Sequence, residues 1–142
     1  MALDQVIRRP TETLPPTATC TECAAVMRAQ NIGAIVVSQD GHPLGIVTDR
    51  DLVTRVLAEG RDPTSVKLGD IMSPDPAFLS DRRSIDEAVA TMRELGVRRL
   101  PVVDDEGKLE GMLSMDDLLM LIAGQVRDLG ETIRRELLPP AR

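Results

Sequence analysis

The sequence predicts a mixed α/β protein made of two copies of one β-α-β-β-α unit, and three observations carry that prediction. The chain aligns on itself: slid by 65 residues, Thr21–Arg28 ("TECAAVMR") falls on Asp86–Arg93 ("DEAVATMR"), matching Glu22 with Glu87, Ala25 with Ala90, Met27 with Met92 and Arg28 with Arg93. Apolar spacing inside each copy switches from helical to strand-like in the same order. Finally, each helix is announced by a hydroxyl residue followed three positions later by an acid. A period this long exceeds the usual solenoid unit and fits two copies of a small domain.

Each element follows in turn. A short extended piece, Glu12–Leu14 in copy one and Ala77–Leu79 in copy two, lies in the matching leaders "VIRRPTETL" (Val6–Leu14) and "IMSPDPAFL" (Ile71–Leu79). The first helix starts at Thr19-x-x-Glu22 or Ser84-x-x-Glu87, with apolar positions Cys23, Val26 and Met27, or Val89, Met92 and Leu95. Two β-branched runs come next, "AIVVS" and "LGIVT" around the turn signal "QDGHP", then "RLPVV" and "LEGMLS" around "DDEGK". One extra residue near Asp104 lengthens the offset to 66, so that Gly41, Gly45, Asp51 and Leu52 meet Gly107, Gly111, Asp117 and Leu118. A second helix starts at Asp49 and at Met115. The predicted units are 5–60 and 71–125, joined by a polar stretch at 61–70 and followed by an extension over 126–142. Neither half has much core of its own, so the halves should pack face to face. In the last helix Ile122, Val126, Leu129, Ile133 and Leu137 form a stripe running past the second unit, which needs intrachain packing, a second subunit or a partner helix to cover it.

Composition removes several classes of function. A net charge of −6 and a pI near 4.8 oppose a phosphate-neutralising nucleic-acid surface. Phe78 is the only aromatic residue, which excludes base-stacking platforms. No run approaches a membrane span, and "MALDQVIRRP" has no signal-peptide core, so a cytoplasmic location is expected. Cys20 and Cys23 form a single C-x-x-C, half of a structural zinc set, and His42 is the only histidine. Two small residues on the buried face of a helix is the preferred reading of that pair; a redox or metal sensor is the distant alternative. No nucleophile–base pair or Walker-type loop is present, so no catalytic residue is assigned and no metal or cofactor is required.

What remains is the joint repeated between strand and second helix, "GIVTDRDLV" (Gly45–Val53) and "GMLSMDDLL" (Gly111–Leu119). Thr48-x-x-Asp51 and Ser114-x-x-Asp117 have capping-box spacing, which suffices to start a helix. They also fit a ligand site. Both copies use Asp here where the first helices use Glu, and the shorter acid reaches back less well, leaving its carboxylate available. A glycine three residues before each hydroxyl admits close approach of a ligand. Free N–H groups at a helix start suit phosphate, and a fixed carboxylate suits paired ribose hydroxyls.

With "NIGAIVVSQDGHPLGIVTDRDLV" and "GVRRLPVVDDEGKLEGMLSMDDLL" each following a capped helix, residues 5 to 125 resemble a tandem pair of CBS domains, a Bateman module of the free-standing bacterial type. The resemblance implies two β-α-β-β-α repeats related by a pseudo-two-fold axis, with clefts between them that bind adenosine nucleotides. Residue by residue, it implies Asp51 and Asp117 on ribose, with Thr48 and Ser114 near ribose or phosphate. It further implies base pockets formed by Thr13 and Leu14 with Ile35, Val36 and Val37, and by Phe78 and Leu79 with Leu100, Pro101 and Val102. Arg98 and Arg99 stand where phosphate contacts fall. Copy one has Gly33 and Ala34 there, so Arg50 or an arginine of the other copy would have to serve it, and copy two is expected to be the better equipped for phosphate. The expected function is regulatory and non-catalytic: AMP, ADP, ATP or S-adenosylmethionine binds between the repeats of a homodimer, and occupancy passes to an enzyme or transporter. A ligand-free homodimeric scaffold is the alternative.

Overall fold

Both first helices begin where their capping residues stand. In the computed structural model, which describes residues 3–8, 12–74 and 78–138, α1 (Cys20–Gln30) follows Thr19, whose Oγ1 accepts from the Glu22 N–H at 3.2 Å while Glu22 returns a carboxylate to the Thr19 N–H at 3.2 Å. A second helix of the same kind, Ile85–Leu95, starts at Ser84 and Glu87 with the same reciprocal pair at 3.1 Å each. Both boxes sit where the sequence predicts them. These helices end in left-handed residues, Asn31 (φ 54°) and Gly96 (φ 65°).

In chain order the first repeat supplies β1 (Thr13–Leu14), α1, β2 (Ala34–Gln39), β3 (His42–Thr48) and α2 (Asp49–Asp51), which continues as a wider π-helical segment over Leu52–Leu57. α3 (Leu68–Ile71) and β4 (Ser73–Pro74) follow. The second repeat supplies β5 (Leu79–Ser80), α4 (Ile85–Leu95), β6 (Arg99–Val103), β7 (Leu109–Ser114) and α5 (Met115–Leu137). This is the predicted β-α-β-β-α order twice over; Ala77 of the second predicted extended piece lies outside the described residues. β1 runs parallel to β2 with Thr13 opposite Val36, and β5 runs parallel to β6 with Leu79 opposite Val102. The β2–β3 hairpin turns through Asp40 (φ 54°) and Gly41 (φ 80°), the two positive φ values of a type I′ loop. Its counterpart is longer, and there Asp104 holds the loop by accepting from the N–H groups of Glu106 and Lys108, each at 2.9 Å.

The two repeats exchange their leaders. Leu3 and Ile7 are buried with Leu79, Ala88, Met92, Leu100, Val102, Leu113 and Leu118 of the second repeat, and Arg8 bridges Met112 on β7. In return Leu68 and Ile71 complete the first repeat's core with Cys23, Met27, Ile35, Val37, Val47 and Val56, and β4 adds to β3 with Ser73 opposite Ile46. Leu3 and Leu68, equivalent by the repeat offset, are both fully buried. The stretch joining the repeats is itself packed: Val66 and Leu68 belong to the first core, and its backbone holds the start of α1 through Cys20 N–H to Val66 O and Leu68 N–H to Ala18 O.

This exchange explains Gly45 and Gly111. A Cβ on Gly45 would lie 2.5 Å from Met72 Sδ and 2.8 Å from Ser73 O; on Gly111 it would lie 2.7 Å from Arg8 O. The sequence suggests a ligand's approach for these glycines. The structure puts there the backbone of the leader from the other repeat.

Contacts across the molecule have two-fold character. Gly41 lies against Lys108 and Gly107 against His42, and under the 66-residue offset each contact is the image of the other. The Leu109 N–H donates to Gly41 O at 3.0 Å, and His42 Nε2 lies 3.3 Å from Glu106 O. At the opposite end of the hairpins Gly33 approaches Arg99. Ile35 and Val37, like Leu100 and Val102, face their own repeat's core, while Val36 and Pro101, one residue out of step, are also buried and so lie on the opposite face of each sheet.

α5 outruns its counterpart, as its stripe predicts. Of its 23 residues only Leu118 is buried, and Leu119, Met120, Ile122, Val126, Leu129, Ile133 and Leu137 are all about half exposed or more. Val89 and Leu95 on α4 are also exposed, whereas the sequence reads them as helical core positions: α4 turns Ala88 and Met92 inward instead. Val89, Met92, Val97, Met115, Leu118 and Ile122 line an apolar groove of about 430 Å³ between the two helices. Among the described residues, no helix is long and apolar enough to cross a membrane.

Candidate functional site

The two strand-to-helix joints are built alike at the backbone and differently at the side chains. In the first, β3 ends at Thr48, whose extended backbone (φ −104°, ψ 163°) hands over to α2. The Asp49 N–H donates to Gly33 O at 3.0 Å, fastening the joint to the entry of β2. In the second, the Met115 N–H donates to Arg98 O at 2.8 Å, the same tie at the entry of β6. The second joint therefore lies beside Arg98, which the sequence reading assigns to phosphate contact, and the first lies beside Gly33, where that reading finds no arginine.

Thr48 Oγ1 accepts from the Asp51 N–H at 3.2 Å, and Asp51 Oδ2 accepts from the Thr48 N–H at 2.9 Å. Asp51 thus does reach back, against the expectation that the shorter acid leaves its carboxylate spare; α2 begins tightly enough for two side-chain bonds to close the turn. Its second oxygen lies 3.6 Å from Arg55 Nε, and Arg55 is tied to Ile71 O through Nη1 at 2.7 Å. Arg50 is exposed, and its N–H donates to Asp49 Oδ1 at 2.8 Å.

At the second joint Ser114 Oγ accepts from the Asp117 N–H at 3.0 Å, but the carboxylate is taken by Arg8 of the leader. Arg8 donates from Nε at 3.1 and 3.3 Å and from Nη2 at 3.1 Å, a fork across both carboxylate oxygens. Partial burial by itself would raise the Asp117 carboxyl; the hydrogen bonds from Arg8 and Ser114 and the Arg8 charge outweigh it and hold the group below its ordinary range.

The arginines divide between the joints. Arg98 stays home, its Nη2 3.1 Å from Asp116 Oδ1 in the first turn of α5. Arg99 points across: its Nη2 and Asp49 Oδ2 lie 3.4 and 3.1 Å from where a Gly33 Cβ would stand. The first joint therefore has an arginine of the other repeat close by, in the place left open by Gly33. Of the residues expected to line base pockets, Thr13 is exposed opposite Val36, Phe78 is exposed beside β5, and the side chains of Ile35, Val36 and Pro101 are buried. Three neighbours of the joints escape the sequence reading. Asp49 and Asp116 stand as ordinary first-turn acids, and Arg8 carries one signal: the equivalent leader position in copy two is Ser73.

Cys20 and Cys23 are buried on one face of α1, as the preferred reading has it. Burial pushes both thiols up, Cys23 to about 11. Among the described residues no cluster of three or more His, Cys, Asp or Glu side chains is disposed to hold a metal.

Comparison with known proteins agrees with this architecture. The chain is 38% identical over 136 residues to the uncharacterized protein MK0525 of Methanopyrus kandleri, covering 95% of this chain and 69% of that one. Among solved structures, the CBS domain protein PAE2072 of Pyrobaculum aerophilum, complexed with AMP, superimposes with a TM-score of 0.76 at 28% identity, over 83% of this chain and 90% of its own. Hypoxic Response Protein I, with two coordinated zinc ions, superimposes with a TM-score of 0.77 at 28% identity, over 84% and 98%. The CBS domain family model matches twice, at residues 3–58 and 68–124. The chain belongs to the CBS domain family and is a tandem pair of CBS domains.

Proposed function

We propose that this CBS pair is a non-catalytic sensor that binds an adenine nucleotide, AMP in the first instance, at its strand-to-helix joints and passes occupancy to an enzyme or transporter in the cytoplasm. The observation that carries the reading is the pair of joints itself. Each brings a hydroxyl, a fixed carboxylate and an arginine to the start of a second helix, on a fold whose AMP-complexed relative is 28% identical. Asp51 and Asp117 would take ribose hydroxyls, Thr48 and Ser114 would lie near ribose or phosphate, and Arg50, Arg98 and Arg99 would meet phosphate. The base would lie against Thr13, Ile35 and Val36 in one cleft and against Phe78 and Pro101 in the other. A ligand alters a regulated protein only through its different affinity for two states, and a fold whose repeats hold each other's leaders offers such states.

Lacking Trp and Tyr, the protein absorbs little near 280 nm, so a copurifying nucleotide would dominate its spectrum near 260 nm. Thermal-shift titration with AMP, ADP, ATP and S-adenosylmethionine tests the reading, because a ligand that binds only the folded chain stabilises it by RT ln(1 + [L]/Kd). No shift with any of them at millimolar concentration sinks it.

A second reading, a scaffold that works through association of two copies, is favoured by the apolar stripe of α5 continuing the groove against α4. Homodimerisation is part of both readings. Light scattering should report a dimer that Val126→Asp with Leu129→Asp reduces to monomer; a monomeric wild type at micromolar concentration removes it.

A further inference from the structure

We infer that Arg8 is an internal competitor for the second nucleotide site: it holds the Asp117 carboxylate and must release it before a ribose can bind there. The inference rests on the nucleotide reading above and adds an inequality between the two joints that the repeat by itself does not predict.

Three features of the geometry carry it. Arg8 meets Asp117 as a ligand would, with Nε and Nη2 donating across both oxygens at 3.1 to 3.3 Å. Two vicinal hydroxyls donate to a carboxylate in much the same paired fashion, so the guanidinium and a ribose compete for the same lone pairs. Second, the contact belongs to one copy. Leader residue Arg8 bridges Met112, and its equivalent Ser73 bridges Ile46. A serine at that point has neither the reach nor the charge to hold Asp51, which closes on Thr48 and meets Arg55 only at 3.6 Å, beyond hydrogen-bond distance. Third, the arm can leave without dismantling the fold. The Arg8 side chain is 75% exposed, whereas its backbone is fixed by the Arg8 N–H to Met112 O bond at 3.0 Å and by Ile7 buried alongside. Release therefore swings a side chain and leaves the leader in place.

A nucleotide will then fill the first site at lower concentration than the second, unless its phosphate recaptures the freed guanidinium. Calorimetric titration of the full chain with AMP separates these cases. In an Asp51→Ala background, which removes the first site's carboxylate, Arg8→Ala should tighten AMP binding by about 1.4-fold to fivefold, the range for loss of one largely exposed ion pair. In an Asp117→Ala background the same change should leave affinity for the first site as it was. Unchanged affinity in the Asp51→Ala background overturns the inference, and weaker binding overturns it in favour of Arg8 as a phosphate contact.

The pair is also read without ligand. The Arg8 Nε–H resonance in a nitrogen-15 spectrum should be slowed in exchange, lose that protection in Asp117→Asn, and return to the exposed position when AMP is added. An Arg8 signal indifferent to Asp117→Asn refutes the pairing itself. A protected signal together with no AMP binding by wild type or Arg8→Ala instead brings down the nucleotide reading, and the competition with it.

Discussion

Replacing Gly45 with alanine tests the leader exchange, because the methyl group has nowhere to go. Its position lies 2.5 Å from Met72 Sδ, 2.8 Å from Met72 Cγ and 2.8 Å from Ser73 O. The sulfur end of a methionine can rotate away. The carbonyl of Ser73 cannot, since β4 is hydrogen-bonded to β3 at that register, with Gly45 opposite Pro74. Relief requires β4 to lift from the sheet and to draw Ile71 and Leu68 out of the first core. Overpacking of this kind costs about 1–3 kcal/mol. Unfolding entropy near 2.1 cal/mol/K per residue, over 142 residues, is about 0.3 kcal/mol/K. The expected fall in Tm is therefore about 3–10 °C, measured by differential scanning calorimetry. Gly124→Ala is the control of opposite sign: it lies within α5, a Cβ there meets nothing within 4 Å, and the change should stabilise the helix by about 0.5–1 kcal/mol. A Gly45→Ala protein as stable as wild type would refute the crossing of the leader at β3.

Two further outcomes follow from titratable groups. Asp117 has a folded pKa below its ordinary 3.8, so its contribution to stability is complete above that value and is lost as pH falls through the lower folded one; melting from pH 7 to pH 3 should fall more steeply for wild type than for Asp117→Asn, and parallel curves contradict the Arg8 pairing. Cys20 and Cys23 are buried, with the Cys23 thiol pushed up to about 11, so the native protein should resist a thiol reagent at neutral pH until it is unfolded; rapid labelling of both would revive a redox role.

The elements legible in the sequence are those fixed by neighbours along the chain. Thr19 with Glu22 and Ser84 with Glu87 are three residues apart, so the side-chain chemistry that starts each helix is complete within one turn. Asp40-Gly41 likewise specifies its hairpin alone. The repeat offset then supplies the pairing of equivalent elements. What the sequence hides is which body each segment joins. Leu3 precedes the first leader and Leu68 falls in the polar stretch at 61–70, and nothing local says that each is buried in the other repeat. Gly45 and Gly111 consequently read as places for a ligand, when the close approach is made by backbone. Spacing along the chain marks the joints, but their difference depends on contacts far apart in sequence: Arg8 with Asp117, and Arg99 with the first joint. Val89 and Leu95 mislead for a related reason, since helical periodicity does not distinguish a face turned to the core from one left open beside α5.

The central claim is that the two joints are nucleotide sites, and calorimetric titration of AMP into wild type and into the Asp51→Ala, Asp117→Ala double variant tests it most directly. The account predicts saturable binding by wild type and none by the double variant, with both proteins folded by circular dichroism. Binding of AMP by the double variant with wild-type affinity, or no heat from wild type at millimolar AMP, would contradict it.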